Sequence, residues 1–270
     1  MDLFYRKYGQ GPALIIVHGL YGASDNWVSI AKGLQDYFEV FLIDQRNHGR
    51  SPHHPDHTYE AMKEDLKQFM DEHEIEKAVL LGHSMGGKTV MHFAKEYPER
   101  ISHLIVVDIA PISYLDDARK KHRTLDHATL IQAMRSVDFS KIESRQDVDD
   151  ALSDTIPPER VRQFLMKNLR RESNNQFSWS LNLEALWNNL PHILDGLNEK
   201  EFEKGRGITG FQVLFVKGAE SDYITQDVFD SIVLTIFPYA ELVTIPKAGH
   251  WVHAEQPDLL IKNLLYFVLA

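Results

Sequence analysis

The 270-residue chain contains no cysteine. That absence removes disulfides, cysteine nucleophiles and cysteine-based metal sites together, and it fits a cytoplasmic protein. Also missing is any apolar run approaching the roughly 20 residues that span a bilayer, so no membrane insertion is expected. The first residues, Met1-Asp2-Leu3-Phe4-Tyr5-Arg6-Lys7, lack the basic-then-apolar layout of a secretion signal. Positive charge is in deficit: 29 Lys and Arg stand against 39 Asp and Glu, a formal charge of −10. Such a chain is a poor partner for a nucleic-acid backbone. The exception is Arg119-Lys120-Lys121-His122-Arg123, read as a solvated helix face behind Asp116-Asp117, with an anion-attracting patch as the alternative. No internal repeat or low-complexity tract interrupts the chain.

What is present is ordinary for a globular protein, with 43% hydrophobic and 25% charged residues. From Ala13 to Ala110 short apolar runs alternate with amphipathic stretches. Ala13 to His18, Val40 to Ile43, Ala78 to Leu81 and Leu104 to Ile109 are rich in Val, Ile and Leu and show little period-2 polarity, as in strands buried on both faces of a parallel sheet. Between them, Asn26 to Tyr37 and Thr58 to His73 carry apolar residues at helical spacing. The rhythm predicts right-handed βαβ crossovers and a doubly wound, mostly parallel α/β sheet. Beyond Ala110 the rhythm stops. Residues 111–210 read as helices with scarcely a strand, including Glu159 to Arg171 after Pro157-Pro158 and Leu181 to Leu190. It then resumes with strand Val213 to Val216, helix Gln226 to Phe237, strand Glu241 to Ile245 and helix Asp258 to Leu269. The expected organisation is a core of residues 1–110 and 211–270, with a helical cap, 111–210, inserted between two core strands.

The most informative stretch is Gly82-His83-Ser84-Met85-Gly86-Gly87. By composition alone, a G-x-S-x-G pattern turns up in roughly one chain in ten of this length. Its setting is more selective. An apolar run precedes it and a helical segment, Lys88 to Tyr97, follows it, which is the context of a nucleophile elbow. A serine hydroxyl needs a base near neutral pH. Among 14 histidines, His250 in Gly249-His250-Trp251 follows a predicted strand and precedes the last helix, at the sheet edge that Ser84 occupies. His18-Gly19-Leu20-Tyr21 ends the first core strand, where the Leu20 N–H, with that of Met85, could receive a developing oxyanion. His53, His54 and His57 surround Pro55 in an expected surface loop without metal-ligand spacing, and no metal is expected there.

His18-Gly19-Leu20, Asp44-Gln45-Arg46-Asn47-His48-Gly49-Arg50-Ser51, Gly82 to Lys88, Val107-Asp108-Ile109-Ala110-Pro111 and Ala248-Gly249-His250-Trp251 together resemble the α/β-hydrolase superfamily, and in wording its YbfF-like esterase subfamily. The resemblance implies a serine hydrolase of carboxylic esters or thioesters, needing no cofactor, whose substrate is a small molecule with an apolar acyl group. Acyl-CoA is one such substrate, and the basic run at 119–123 would suit its phosphates. Perhydrolase or C–C bond hydrolase chemistry on the same residues, and a non-catalytic ligand receptor, are the alternatives. The chain departs from the superfamily at the acid. Where many relatives carry aspartate after the strand beyond the cap, Lys217-Gly218-Ala219-Glu220-Ser221-Asp222 has Ser221, with Asp222 one residue further on. Asp108, at the end of the strand before the cap, is therefore preferred as the acid, with Asp222 the alternative. His18, Asp44, Arg46, His48 and His83 are expected to support the site, and His48 or Asn47 to shape the oxyanion loop in a minority reading. Lys88 is expected at the surface or behind Ser84. Tyr21, Tyr114, Trp187 and Trp251 are expected to line an acyl pocket, with burial in the cap core as the competing reading for the cap aromatics, Phe164 and Trp179 among them.

Overall fold

The computed structural model describes residues 1–115, 126–202 and 206–270. Its centre is a seven-stranded sheet of β1 (Tyr5–Tyr8), β2 (Ala13–Val17), β3 (Glu39–Ile43), β4 (Ala78–His83), β5 (Ile101–Val107), β8 (Gln212–Gly218) and β9 (Ala240–Ile245), in the spatial order β1-β3-β2-β4-β5-β8-β9. Every pairing is parallel except that of β1 with β3. The core strands run as the apolar runs predict. The edge strand β1 was not anticipated, because Tyr5-Arg6-Lys7-Tyr8 is polar and only partly buried.

Alternate residues of each buried strand feed opposite cores, as strand geometry requires. On one face, Ile15, Val17, Leu80 and Val106 pack with Phe69 of α2 (Tyr59–Glu72) and Phe93 of α3 (Met85–Glu96). On the other, Leu14, Ile16, Leu81 and Ile105 pack with Ile30 of α1 (Val28–Leu34) and with Leu260 and Leu264 of a C-terminal helix, Pro257–Leu269. Thr58 caps α2 by accepting the amide of Ala61.

Between β5 and β8 the described residues form five α-helices, short 3-10 turns and a ribbon. The helices are α4 (His127–Arg135), α5 (Arg145–Ser153), α6 (Glu159–Leu165), α7 (Leu183–Asn188) and α8 (Leu190–Leu194); the ribbon pairs β6 (Leu169–Arg171) with β7 (Phe177–Trp179). The helix expected to run from Glu159 to Arg171 therefore ends at Leu165. After one 3-10 turn the chain extends, and Leu169 pairs with Trp179 instead of completing a helical stripe. This segment has its own apolar cluster, which takes in Leu165, Met166 and Leu186 and reaches down to Leu20, Tyr21 and Met85 of the sheet side. Beyond β8, a helical stretch from Gln226 to Ile236 contains one π turn, Phe229–Val233. No described helix is long and apolar enough to cross a membrane.

Sequence order along the sheet reverses at β2, which has β3 on one side and β4 on the other. Loops leaving the carboxyl ends of β2 and β4 diverge there and open a crevice, the usual ligand position in open α/β sheets. The loop from His18 leaves β2, and Ser84 follows β4.

Candidate active site

Ser84 sits between the end of β4 and the first residue of α3, with φ of 52° and ψ of −120°. A non-glycine residue persists in such a conformation only where its surroundings over-determine it. Here the Ser84 amide donates to the Val107 carbonyl at 3.0 Å, and its neighbours permit close packing. A Cβ on Gly86 would lie 2.2 Å from the Val17 carbonyl oxygen, and one on Gly82 would lie 2.2 Å from that of Gly86. The two glycines let strand and helix approach in a way no side chain would allow.

His250 and Asp108 arrive from loops after β9 and β5. The Ser84 Oγ lies 3.1 Å from His250 Nε2, and His250 Nδ1 donates to Asp108 Oδ2 at 2.8 Å. Asp108 is fully buried and also has positive φ, 51°. Its other oxygen accepts the Gly218 amide at 3.0 Å, and Oδ2 also receives the Ser221 hydroxyl at 2.5 Å. Of the two carboxylates considered from sequence, Asp108 contacts the imidazole, while Asp222 is exposed. Ser221, one residue before Asp222, hydrogen-bonds to Asp108.

Contacts around His250 fix its ring. His83 Nε2 donates to the His250 carbonyl at 2.8 Å. Burial first, and then the neighbouring His250, push the His83 pKa down to about 3, so it remains a neutral donor. Tyr223 stacks on the His250 ring at 4.1 Å between centroids. Nothing in the sequence pattern had singled out Tyr223, because one tyrosine in a polar loop carries no periodic or motif signal. Glu255 accepts the amide of Gly249, beside His250, and an ion pair from Arg160 of α6.

The loop after β2 is held from below by a buried polar network. His18 Nε2 accepts the Gln45 amide at 3.0 Å, and its Nδ1 donates to the Gly19 carbonyl at 2.8 Å. His48 Nε2 accepts the Tyr21 amide at 3.3 Å while Nδ1 donates to the Arg46 carbonyl at 3.0 Å. Burial lowers the pKa of both imidazoles, that of His48 strongly. Asp44 ties this loop to its own turn by accepting the amides of Ser24 at 2.6 Å and Arg50 at 2.8 Å. Arg46 forks onto Asp65 at 2.6 and 2.8 Å, a bidentate geometry that favours a fixed pair. His57 is fully buried, contrary to the expected surface loop. Asn47 Nδ2 donates to its Nδ1 at 3.2 Å, Nε2 lies 3.3 Å from Met85 Sδ, and burial with Arg46 pushes its pKa down to about 3. Among the described residues no group of three or more His, Asp or Glu side chains is arranged to hold a metal ion.

Ser84 lies where two cavities meet. One is bordered by Leu20, Tyr21, Phe164, His250 and Trp251. The other is bordered by Leu20, Met85, Lys88, Tyr114 and Tyr223. Tyr21, Tyr114 and Trp251 thus border the space beside Ser84, but Trp187 borders neither cavity. Its ring packs on the apolar cluster between β5 and β8 and lies 5.4 Å from the Arg135 guanidinium. Trp179 likewise turns inward, donating to the Met134 carbonyl at 2.9 Å. Lys88 is buried, not at the surface. Its ammonium donates to the Leu194 carbonyl at 3.0 Å and to that of Asp195, and it lies 4.6 Å from the Tyr114 ring centre. The basic run Arg119 to Arg123 lies outside the described residues.

A serine on a strand-to-helix turn, above the switch point of a parallel sheet flanked by helices, is the architecture of a large class of hydrolases. A family model of the alpha/beta hydrolase fold matches residues 12–257, and the chain belongs to that family. Its curated relatives include the sn-1-specific diacylglycerol lipase ABHD11 of Danio rerio, 38% identical over 99% of this chain and 81% of that protein. Esterase YbfF of Escherichia coli is 33% identical over 93% of this chain and 91% of that protein. Among solved structures, one titled marine microorganism esterase is 43% identical with a TM-score of 0.90, covering 98% of this chain and 99% of the other. The chain is a hydrolase, and its relatives include proteins named esterases and lipases.

Proposed function

We propose that the protein hydrolyses carboxylic esters or thioesters through an acyl-enzyme on Ser84. The reading is carried by one observation: an unbroken hydrogen-bonded series from Ser84 Oγ through His250 to the buried Asp108, at the junction of two cavities. His250 Nε2 takes the hydroxyl proton as Oγ attacks the substrate carbonyl. Asp108 orients the ring and stabilises the imidazolium through Nδ1–H. The amides of Leu20 and Met85 receive the tetrahedral oxyanion, each donor of this kind being worth about 2.7–4 kcal/mol in the transition state. His250 then returns the proton to the leaving oxygen or sulfur. Water, deprotonated by the same imidazole, releases the acid and restores the Ser84 hydroxyl. None of these steps calls on a cofactor.

Residues 111–210 act as a cap in this reading, and the mainly apolar borders of the cavities, Leu20, Phe164, Leu165 and Trp251, suit an apolar acyl group. The names of the relatives, esterase and diacylglycerol lipase, agree with an ester of that kind. A series of p-nitrophenyl and acyl-CoA esters of rising chain length tests the proposal. Turnover that depends on acyl length and drops to background in Ser84→Ala is expected. Turnover that survives Ser84→Ala contradicts it.

A further inference from the structure

The loop proposed to hold the oxyanion contains a strained residue that the cap segment grips. Tyr21 has φ of 61°, a conformation that a bulky side chain keeps only where its surroundings impose it. The turn is closed by the Gly22 amide on the Gly19 carbonyl at 2.9 Å. From the sheet side, His48 accepts the Tyr21 amide. From the other side, Asn168, in the turn between α6 and β6, donates its Nδ2 to the Tyr21 carbonyl at 2.8 Å. Both peptide groups flanking the Tyr21 Cα are thereby fixed, one from each half of the molecule.

Asn168 is itself held in place. It is 4% exposed, its Nδ2 also reaches the Leu165 carbonyl at 3.1 Å, and its own carbonyl accepts the Ser180 amide at 2.8 Å. The same seam continues outward. The Asn182 amide donates to the Asn47 carbonyl, and its Nδ2 to Asn47 Oδ1, both at 3.0 Å. Leu20 and Tyr21 share an apolar cluster with Leu165, Met166 and Leu169 around this amide. A buried amide serving two carbonyls at a strained turn is more than surface decoration, since its loss leaves acceptors short of a donor in a dry environment.

We propose that Asn168 is a positioning residue for the reaction. It clamps the Tyr21 carbonyl against the pull of His48 and so aims the Leu20 N–H at the forming oxyanion. The cap segment then contributes to transition-state stabilisation as well as to the pocket wall. The inference rests on the hydrolase reading and on Leu20 as an oxyanion donor.

The test compares wild type, Asn168→Ala and Asn168→Asp with a p-nitrophenyl ester. Each protein is also titrated with a trifluoromethyl ketone, whose tetrahedral adduct needs the oxyanion donors, and with the corresponding secondary alcohol, which does not. Asn168→Ala should lower kcat about 10- to 50-fold, short of the 10²–10³ that loss of a whole donor costs, with KM within about threefold. Affinity for the ketone should fall in step with kcat, and affinity for the alcohol should hold. Asn168→Asp, which sets an oxygen against two carbonyls, should not rescue. Asn168→Ser serves if the alanine variant does not fold. Unchanged kcat, or equal loss of ketone and alcohol binding, overturns the clamp. A wild-type protein with no Ser84-dependent turnover overturns both the clamp and the hydrolase reading; normal wild-type turnover with silent Asn168 variants overturns the clamp alone.

Discussion

With asparagine in place of Asp108, the His250 Nδ1–H faces an amide instead of a carboxylate, and nothing compensates the imidazolium that forms during attack. The expected fall in kcat is about 10⁴-fold, the cost of the matching change in serine proteases. Asp222→Asn, altering an exposed side chain, should leave kcat within about twofold. Steady-state kinetics on both variants, checked for matching thermal stability, decides between the two carboxylates. At this scale the sequence was informative about Ser84 and His250, because each sits in a short motif at a predictable strand end. The acid was harder to read. Two aspartates were available, and Ser221 in place of an aspartate was the only mark in residue order that favoured Asp108; the deciding fact, its 2.8 Å contact with His250 from a residue of positive φ, leaves none. Trp187 failed for the related reason that an aromatic in an amphipathic segment reads the same whether it faces a pocket or its own core.

The elbow and its packing belong to the scale of elements. Gly86→Ala places a methyl 2.2 Å from the Val17 carbonyl oxygen and 2.5 Å from that of His18, and backbone atoms cannot step aside as a flexible side chain would. Loss of soluble protein, or a fall in melting temperature of at least about 5 °C, is expected. Lys88 joins α3 to the end of α8 through two backbone carbonyls. Lys88→Met keeps the apolar stem and removes the donors, so a loss of about 1–3 kcal/mol in urea unfolding is expected. A variant as stable as wild type would show that the contact contributes little. Core strands and long helices were legible because burial on both sheet faces writes unbroken Val, Ile and Leu runs. The segment between β5 and β8 was less so. Val161, Phe164, Leu165 and Leu169 satisfy a helical period, yet Leu169 pairs with Trp179 in a ribbon, a tertiary choice that overrides local spacing.

For the molecule as a whole, buried neutral histidines set the acid limit. His57 and His83 have folded pKa values of about 3, against about 6.5 in the unfolded chain. Above pH 6.5 neither state binds the proton and the stability is complete. Between 6.5 and 3 the unfolded chain takes up protons that the folded one refuses, so stability falls as pH falls, by up to about 1.4 kcal/mol per pH unit for each group. Melting temperatures should decline steadily from pH 7 to pH 5. His57→Gln, neutral throughout, should flatten that slope even if it is less stable at pH 7. An unchanged slope would assign the acid sensitivity to other groups.

Covalent labelling asks whether His250 and Asp108 activate Ser84 as the nucleophile. The protein is treated with a fluorophosphonate, digested, and the adduct located by mass spectrometry. A single adduct on Ser84 is expected, absent in Ser84→Ala and formed far more slowly in Asp108→Asn but not in Asp222→Asn. No adduct, an adduct on another residue, or undiminished labelling of Asp108→Asn would contradict it.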